Sequence, residues 1–412
     1  MMRIMRFIIL FGMVAVLIVC GKPEIFAQSI YGANGIGELK YFGTIRAVGM
    51  GGASIAFIDN RAQNQINPPL WIGIEKVSYN LSIRTEGLKY NHPVYAKKSG
   101  QTAFNDVCFT IKANPRFAFG GGIHTVSNAN YKLFTNTADY RRKVESSGGI
   151  STLYCGSTYQ FKDRIAIGIM YNYLFGVDNG VWKIDYTTGY SDAQTEMTRQ
   201  KKGNGLTAGM LYKINPRFRV GGVFSSTSDL ESQSKIKTIA IIQDIYYYGV
   251  SNQEKVKGKP IHIPFSYGIG FAADLRERVQ VAGDIYSWQY KKLNNGENAA
   301  QMYRNSTRYS GGVEFKGTKS AGRVSPKNWS VRVGGYVWNL YTVDIDGSTV
   351  WEKFLTSGIS IPFNDYNTRI DIGFEGGIRS SASKKIGSET IFRVYIGLVG
   401  SEKWFERKSQ KQ

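Results

Sequence analysis

The sequence predicts an all-β protein, a 14-stranded antiparallel transmembrane β-barrel. Three observations carry this expectation. From residue 75 onward, segments of about ten residues alternate apolar with small or polar side chains, as barrel strands do. Short and long connections alternate between those segments. The composition, with 47 Gly, 26 Tyr and 22 Phe but only 10 Pro in 412 residues, favours strands and tight turns over helices.

The N-terminus comes first. Arg3 and Arg6 form a short basic region, "FIILFGMVAVLIVCG" (7–21) an apolar core, and "IFAQS" (25–29) a small-residue cleavage site after Ala27. Residues 1–27 therefore read as a secretory signal and are set apart from the fold. Lipoprotein processing at Cys20 is the rival, and Val19 stands where small residues are usual at such sites. Beyond this segment no apolar run approaches the roughly 20 residues of a spanning helix, in keeping with a mean hydropathy of −0.25.

Alternation then marks the strands. In "RIAIGIMYNYL" (164–174), Ile165, Ile167, Ile169, Tyr171 and Tyr173 share one face, and Ala166, Gly168, Met170 and Asn172 the other. In "WSVRVGGYVW" (329–338), Val331, Val333 and Val337 oppose Arg332. In "NTRIDIGFEGGIR" (367–379), Ile370, Ile372, Phe374 and Ile378 oppose Arg369, Asp371, Glu375 and Arg379. A soluble sandwich also alternates, but strand length, aromatic strand ends and the signal sequence fit a barrel with lipid outside.

The pattern places strands at 76–86, 104–113, 116–126, 150–161, 164–175, 205–214, 217–226, 262–273, 278–289, 307–316, 329–341, 353–362, 368–379 and 389–400. "NPR" (114–116), "KDR" (162–164), "NPR" (215–217), "LRER" (275–278) and "NDYN" (364–367) are the short turns. Long connections fall at 87–103, 127–149, 176–204, 227–261, 290–306, 342–352 and 380–388, and one turn at 317–328 exceeds the short pattern. Short periplasmic turns and long outer loops are the signature of bacterial outer-membrane barrels, so the bacterial outer membrane is the expected location.

Charge narrows the partners. Losing residues 1–27 removes three bases and one acid, so the net charge falls from +21 to +19. The bases are scattered and no nucleic-acid motif is present; an anionic membrane surface, lipopolysaccharide included, or anionic ligands fit better. Cys108 and Cys155 form no disulfide framework and read as small buried or lipid-facing residues.

The residues also resemble a family. "GIGE" (35–38), "RAVGMGGASIAFID" (46–59) and "INPPLW" (66–71) resemble the N-terminal plug of the outer-membrane long-chain fatty acid transporters of the FadL/TodX type. "IPFSYGIGFAADLRERVQVAGDIYSWQY" (263–290), "SGISIPF" (357–363) and "RVYIGLVGSEKWFERK" (393–408) are similar to that family's later strands. The resemblance implies a small N-terminal hatch inside the barrel lumen, over residues 28–72, with the barrel at 73–401 and a basic tail at 402–412. Arg46, Gly49, Gly51, Gly52, Asp59, Asn67 and Pro68 would belong to the hatch. It implies passive uptake of long-chain fatty acids or other hydrophobic compounds by a monomer without cofactors, with lateral release at a kink in the third strand. Asn67-Pro68-Pro69 departs from the family's Asn-Pro-Ala. The branch this chain resembles also includes barrels tied to protein export, so a non-transporting barrel that anchors or shuttles secreted proteins is the alternative.

Several motifs also carry plainer readings. Gly49, Gly51 and Gly52 lack the Lys-Ser/Thr of a phosphate loop and suit tight packing in a hatch. Gly120, Gly121 and Gly122 permit a bend in the third strand, hence a lateral gate, or else only close packing. Arg332, Arg369 and Arg393 face inward and could fork onto a carboxylate, or pair with Asp284, Asp371 and Glu375. Ile241 and Tyr246 lie in "IAIIQDIYYYGV" (239–250), an apolar stretch in an outer loop that could capture ligand. The three histidines, His92, His124 and His262, form no recognisable dyad with serine and no zinc spacing is present. No enzyme is therefore expected.

Overall fold

Alternating side chains force a sheet that is apolar on one face and polar on the other, and closing it removes every edge. The computed structural model describes residues 29–402 apart from 34, 76, 93–95, 188–191, 243–244, 249–253, 259, 294–302, 319–324 and 364–367. The expected signal sequence and most of the basic tail lie outside the described residues. The barrel strands are β1 (Val77–Asn91), β2 (Ala96–Asn114), β3 (Phe117–Asn128), β4 (Tyr140–Phe161), β5 (Ile165–Tyr186), β6 (Asp192–Lys213) and β7 (Phe218–Thr227). They continue as β8 (Ser266–Arg276), β9 (Val279–Trp288), β10 (Ser306–Phe315), β11 (Ser330–Val343), β12 (Thr349–Phe363), β13 (Thr368–Ser381) and β14 (Ser388–Glu402). Neighbours pair antiparallel throughout, and β14 closes on β1, from Ser388↔Asn91 to Glu402↔Val77. The 14-stranded barrel read from the sequence is the observed fold.

Ile165, Ile167, Ile169, Tyr171 and Tyr173 are all exposed on the outer face of β5, while Ala166, Met170 and Asn172 are buried toward the lumen. Cys108 is buried and Cys155 exposed, and both are free thiols.

The strands run further than the alternation suggests. Much of what reads as long outer loop is strand: β4, β5 and β6 have 22 residues each, where a membrane strand needs about 9–11. Their upper halves carry one added strand and one added three-strand extension. Tyr131–Asn136 lies along β4. Glu231–Ile242 lies along β6 and folds back on Ile245–Tyr248 and Glu254–Lys257. Within the apolar stretch at 239–250, Ile239–Ile242 pairs with Ile245–Tyr248, Ile241 opposite Tyr246, and residues 243–244 and 249–250 lie outside the described residues.

Residues 29–75 thread the lumen. A 3₁₀ turn (Ile30–Ala33) leads to Glu38–Leu39, which pairs with Ser127 and Asn128 at the top of β3. A single helical turn, α1 (Ile45–Val48), is capped by Thr44, whose Oγ1 accepts from Ala47 N at 3.0 Å. A second 3₁₀ turn (Pro68–Gly73), with proline at its first positions, delivers the chain to β1.

Glycine makes this threading possible. Gly51 and Gly52 adopt φ of 72° and 84°, a region other L-residues rarely enter. The wall facing them is also glycine. A Cβ on Gly312 would lie 2.6 Å from Met50 Cα, and one on Gly334 would lie 2.5 Å from Gly51 N. Gly358 meets Gly49, Gly221 meets Ile55, and Gly168 and Gly209 meet the Asn67–Pro69 segment. Hatch backbone therefore lies directly on wall backbone. Gly51→Ala should dislodge it, since the left-handed backbone alone costs about 1–2 kcal/mol and the new Cβ overlaps the Gly335 carbonyl. Limited proteolysis of the folded barrel should then cut within residues 45–66, where the parent chain resists.

Candidate functional site

Most of the residues singled out from sequence converge on the seam between hatch and wall, whereas Ile241 and Tyr246 lie apart from it on the added outer strands. Asp59, buried in the hatch, is gripped by Arg369 of β13 through both guanidinium nitrogens, with Nη1 donating to Oδ1 at 3.0 Å. Arg46 lies 3.7 Å from Asp59 on its other side. Arg46 also donates to Glu314 of β10 from Nε at 2.8 Å, donates to the Ile58 carbonyl at 3.0 Å, and stacks on Phe57. Glu314 accepts in turn from Arg332 Nε of β11 at 2.8 Å, and Arg332 Nη2 donates to Ser360 at 2.6 Å. Ser360 hydrogen-bonds Asp371, which accepts from Arg369 Nε at 3.0 Å. The chain of contacts closes into a ring: Asp59, Arg46, Glu314, Arg332, Ser360, Asp371, Arg369 and back to Asp59.

Burial alone would push the Asp59 carboxyl up. Arg369, then Arg46, outweigh it and hold the group well below the usual carboxylate range. Asp59 thus stays ionised, and its contribution to docking persists until pH falls far below the ordinary aspartate value of about 3.9.

A second network sits toward the long-loop end, around Glu38 of the hatch. Arg379 of β13 reaches Glu38 at 2.6 Å, Ser29 at 2.7 Å and Glu389 at 2.8 Å, and also holds Glu352. Arg393 of β14 reaches Glu38 at 3.0 Å, Tyr336 at 3.1 Å and Glu375 at 3.2 Å, and holds Glu86 of β1. Lys40 lies 2.7 Å from Glu38. A third contact joins Asp284 of β9 to the hatch amides of Ser54 and Ile55, the latter at 2.8 Å. Arg308 stands beside it, its guanidinium 3.8 Å from the Tyr336 ring and 4.6 Å from that of Tyr41.

The three arginines considered for a carboxylate ligand, Arg332, Arg369 and Arg393, thus all pair with acids of the wall or hatch. Asn67 is buried, donates to the Ile55 carbonyl at 2.7 Å, and precedes Pro68, whose carbonyl accepts from Thr158 at 2.6 Å. Two interior pockets run along this seam. One, beside Phe42 and Gln63, has a volume of about 10 Å³; the other, between Lys40, Arg84 and Arg308, about 20 Å³. Neither has room for much more than a single water.

At Gly120–Gly122 the β3 ladders run unbroken on both sides. Gly120 sits between Thr110 and Gly156, Gly121 between Phe109 and Cys155, and Gly122 between Cys108 and Tyr154. The irregularity in β3 comes later, between Thr125 and Ser127. A Cβ at Gly120 would stand 2.6 Å from the hatch side chain of Gln63, so Gly120 admits the hatch, whereas a Cβ at Gly121 or Gly122 would meet the neighbouring strands at Tyr154, Phe109 and Cys108.

Sequence reading missed Glu314, Glu352, Glu389 and Asn64. The first three are acids at lumen positions directly opposite bases: Glu314↔Arg332, Glu352↔Arg379 and Arg379↔Glu389. Register reveals them, and the sequence alone does not supply register. Asn64 staples the hatch to itself, accepting from the Ile66 and Asn67 amides at 2.8 Å and donating to the Ser54 carbonyl at 2.8 Å.

A closed 14-strand barrel, lined with charges that clamp an N-terminal hatch, is the architecture of the plugged bacterial outer-membrane channels. The chain belongs to the BamG family, whose model matches residues 1–410. Among solved structures it is similar to the CymD monoaromatic hydrocarbon channel, at 14% identity and a TM-score of 0.61, covering 92% of this chain and 100% of that one. It is similar to the toluene transporter TodX of P. putida, at 14% identity and 0.63, covering 89% and 100%. A Pseudomonas aeruginosa FadL homologue matches at 13% identity and 0.58, covering 88% and 98%. The fold is therefore of the FadL/TodX type. A search of curated proteins finds no match.

Removing Asp59 tests the ring. Asp59→Asn leaves two buried arginines short of a counter-charge and should cost roughly 3–5 kcal/mol, seen as earlier thermal unfolding of the detergent-solubilised barrel. Pairing it with Arg369→Gln should recover part of the loss. Unfolding at the parent temperature by the single variant would mean that the ring does not hold the hatch.

Proposed function

We propose that this chain is a sealed outer-membrane barrel, working as a structural subunit of a machinery that assembles or exports other outer-membrane proteins. The observation that carries the reading is the clamped hatch: two charge networks and a glycine-on-glycine seam tie it to the wall. A hatch that must move for every solute would have to break those buried ion pairs. The family name supports a place in an assembly machinery. The tall sheet of β4, β5 and β6 supports it too, because it offers surface outside the bilayer where partners can bind. No catalytic or cofactor role enters this reading.

The second reading is passive uptake of fatty acids or other hydrophobic compounds by a monomer, with side exit near Gly120–Gly122. The printed titles of the similar channels favour it. Two measurements in depleted cells separate the readings. The assembly role predicts that folded outer-membrane proteins fall several-fold while uptake of labelled oleate and toluene is unchanged once corrected for surface loss. Normal membrane-protein levels with lost oleate uptake would overturn it in favour of the channel.

A further inference from the structure

The positive charge of this protein is not spread evenly at the short-turn end. Arg116, Arg164, Arg217 and Arg278 occupy one repeated position, at the foot of β3, β5, β7 and β9. The carbonyl of each accepts the same last-rung hydrogen bond, from Gln160, Lys213, Asp274 and Lys316 respectively, at 2.8 Å in all four cases. Strands lie about 4.8 Å apart, so every second strand sets one arginine roughly 10 Å from the next.

All four side chains are exposed, as are Arg276 and Lys327 on neighbouring turns. Among the described residues none of these six has an acid within ion-pair distance. In the five turns β2–β3, β4–β5, β6–β7, β8–β9 and β10–β11, seven described cations, Arg116, Lys162, Arg164, Arg217, Arg278, Lys316 and Lys327, face two acids, Asp163 and Glu277. Asp274 is already held by Arg219 at 3.0 Å and Lys316 at 2.8 Å. The outer extensions differ: there Lys143 pairs with Glu145, Lys183 with Asp185, and Lys202 with Glu231.

Orientation selects the partner. The residue after each repeated arginine, Phe117, Ile165, Phe218 or Val279, belongs to the lipid side. Phe161, Ile165, Leu275 and Phe315 are exposed there at the same height. The arginines have the opposite parity, that of the lumen positions, and Arg278 Nε donates to the Lys316 carbonyl at the foot of β10 at 3.2 Å. Lipid headgroups would meet the apolar side of the rim, whereas the mouth opens to the periplasm. The tail at 403–412 is itself basic and does not complement the charge of these arginines.

We infer that the periplasmic mouth is a docking surface for an acidic polypeptide, a periplasmic domain whose carboxylates meet this arc of arginines. The inference names a partner class for the assembly role and rests on that reading. The mechanism is charge complementarity, which sets encounter rate and selectivity and weakens with salt.

The test uses the full chain in phosphatidylcholine nanodiscs and a fluorescent 20-residue glutamate-rich peptide. Binding should weaken more than tenfold between 50 and 300 mM NaCl. The fourfold variant R116E/R164E/R217E/R278E should lose at least a hundredfold in affinity, and the milder R116Q/R164Q/R217Q/R278Q an intermediate amount, which covers failure of the first to fold. Reversing the outer cations Lys98, Arg141, Arg142 and Lys384 to glutamate should change affinity less than threefold. In cells, a photo-reactive residue at Asn215 should give an adduct with an acidic periplasmic domain, lost in the fourfold glutamine variant. Equal peptide binding by parent and fourfold variants overturns the inference. So does absence of peptide binding together with an arginine-dependent rise in melting temperature in phosphatidylglycerol nanodiscs, which would assign the arc to headgroups. Arginine-dependent peptide binding and adduct with normal membrane-protein assembly in the variant would leave the surface standing and sink the assembly role.

Discussion

Asp59, held between Arg369 of the wall and Arg46 of its own segment, is the contact on which the interior depends. A carboxylate sealed from water is costly unless it is paired and hydrogen-bonded. Here one carboxylate is shared by two guanidiniums, each of which needs a further acid, and the demand passes along Glu314 and Asp371 until the ring closes. Neither wall nor hatch satisfies these charges alone. β10, β11 and β13 present a base-rich and acid-rich surface that only the hatch completes, so the two are one folding unit in the energetic sense.

The glycines follow from that requirement. To bring Arg46 and Asp59 within reach of wall side chains, the hatch backbone must lie against the wall, and a Cβ on either surface would hold them apart. Hence Gly49 sits on Gly358, and Met50 and Gly51 sit on Gly312 and Gly334. The seam is short in reach and strict in shape. Electrostatics decides that the hatch stays inside; the glycines decide at what height and in which rotation.

Much of this was legible from residue order, and the limits are physical. In "RIAIGIMYNYL" lipid on one side and lumen on the other leave a period of two, which located β5 and its neighbours. Above the bilayer both faces of β4, β5 and β6 meet water, the period lapses, and residues such as Asp192–Arg199 read as loop although they are strand. A two-sided polar strand carries little register information. The hatch was visible through its glycines and Asn67-Pro68-Pro69, and Arg369 through its phase in β13. The acid that claims Arg369 was not, because Asp59 lies more than 300 residues away and only a closed barrel brings them together.

The same phase rule explains why the charges considered for a ligand serve the fold. A lumen-facing arginine in a wide, wet barrel is available to solutes. In this barrel the wall opposite it is occupied by hatch, and Arg332 and Arg393 find acids at the very next strand, Glu314 on β10 and Glu375 on β13. Most lumen arginines therefore find acids on the wall or hatch, with Arg308 lying instead over the Tyr41 and Tyr336 rings, while the cations at the foot of β3, β5, β7 and β9, on the same parity but below the hatch, have no acid within ion-pair distance among the described residues. Two sets of arginines with one strand phase are separated only by height, and height decides which set is spent on structure and which stays exposed without an acid among the described residues.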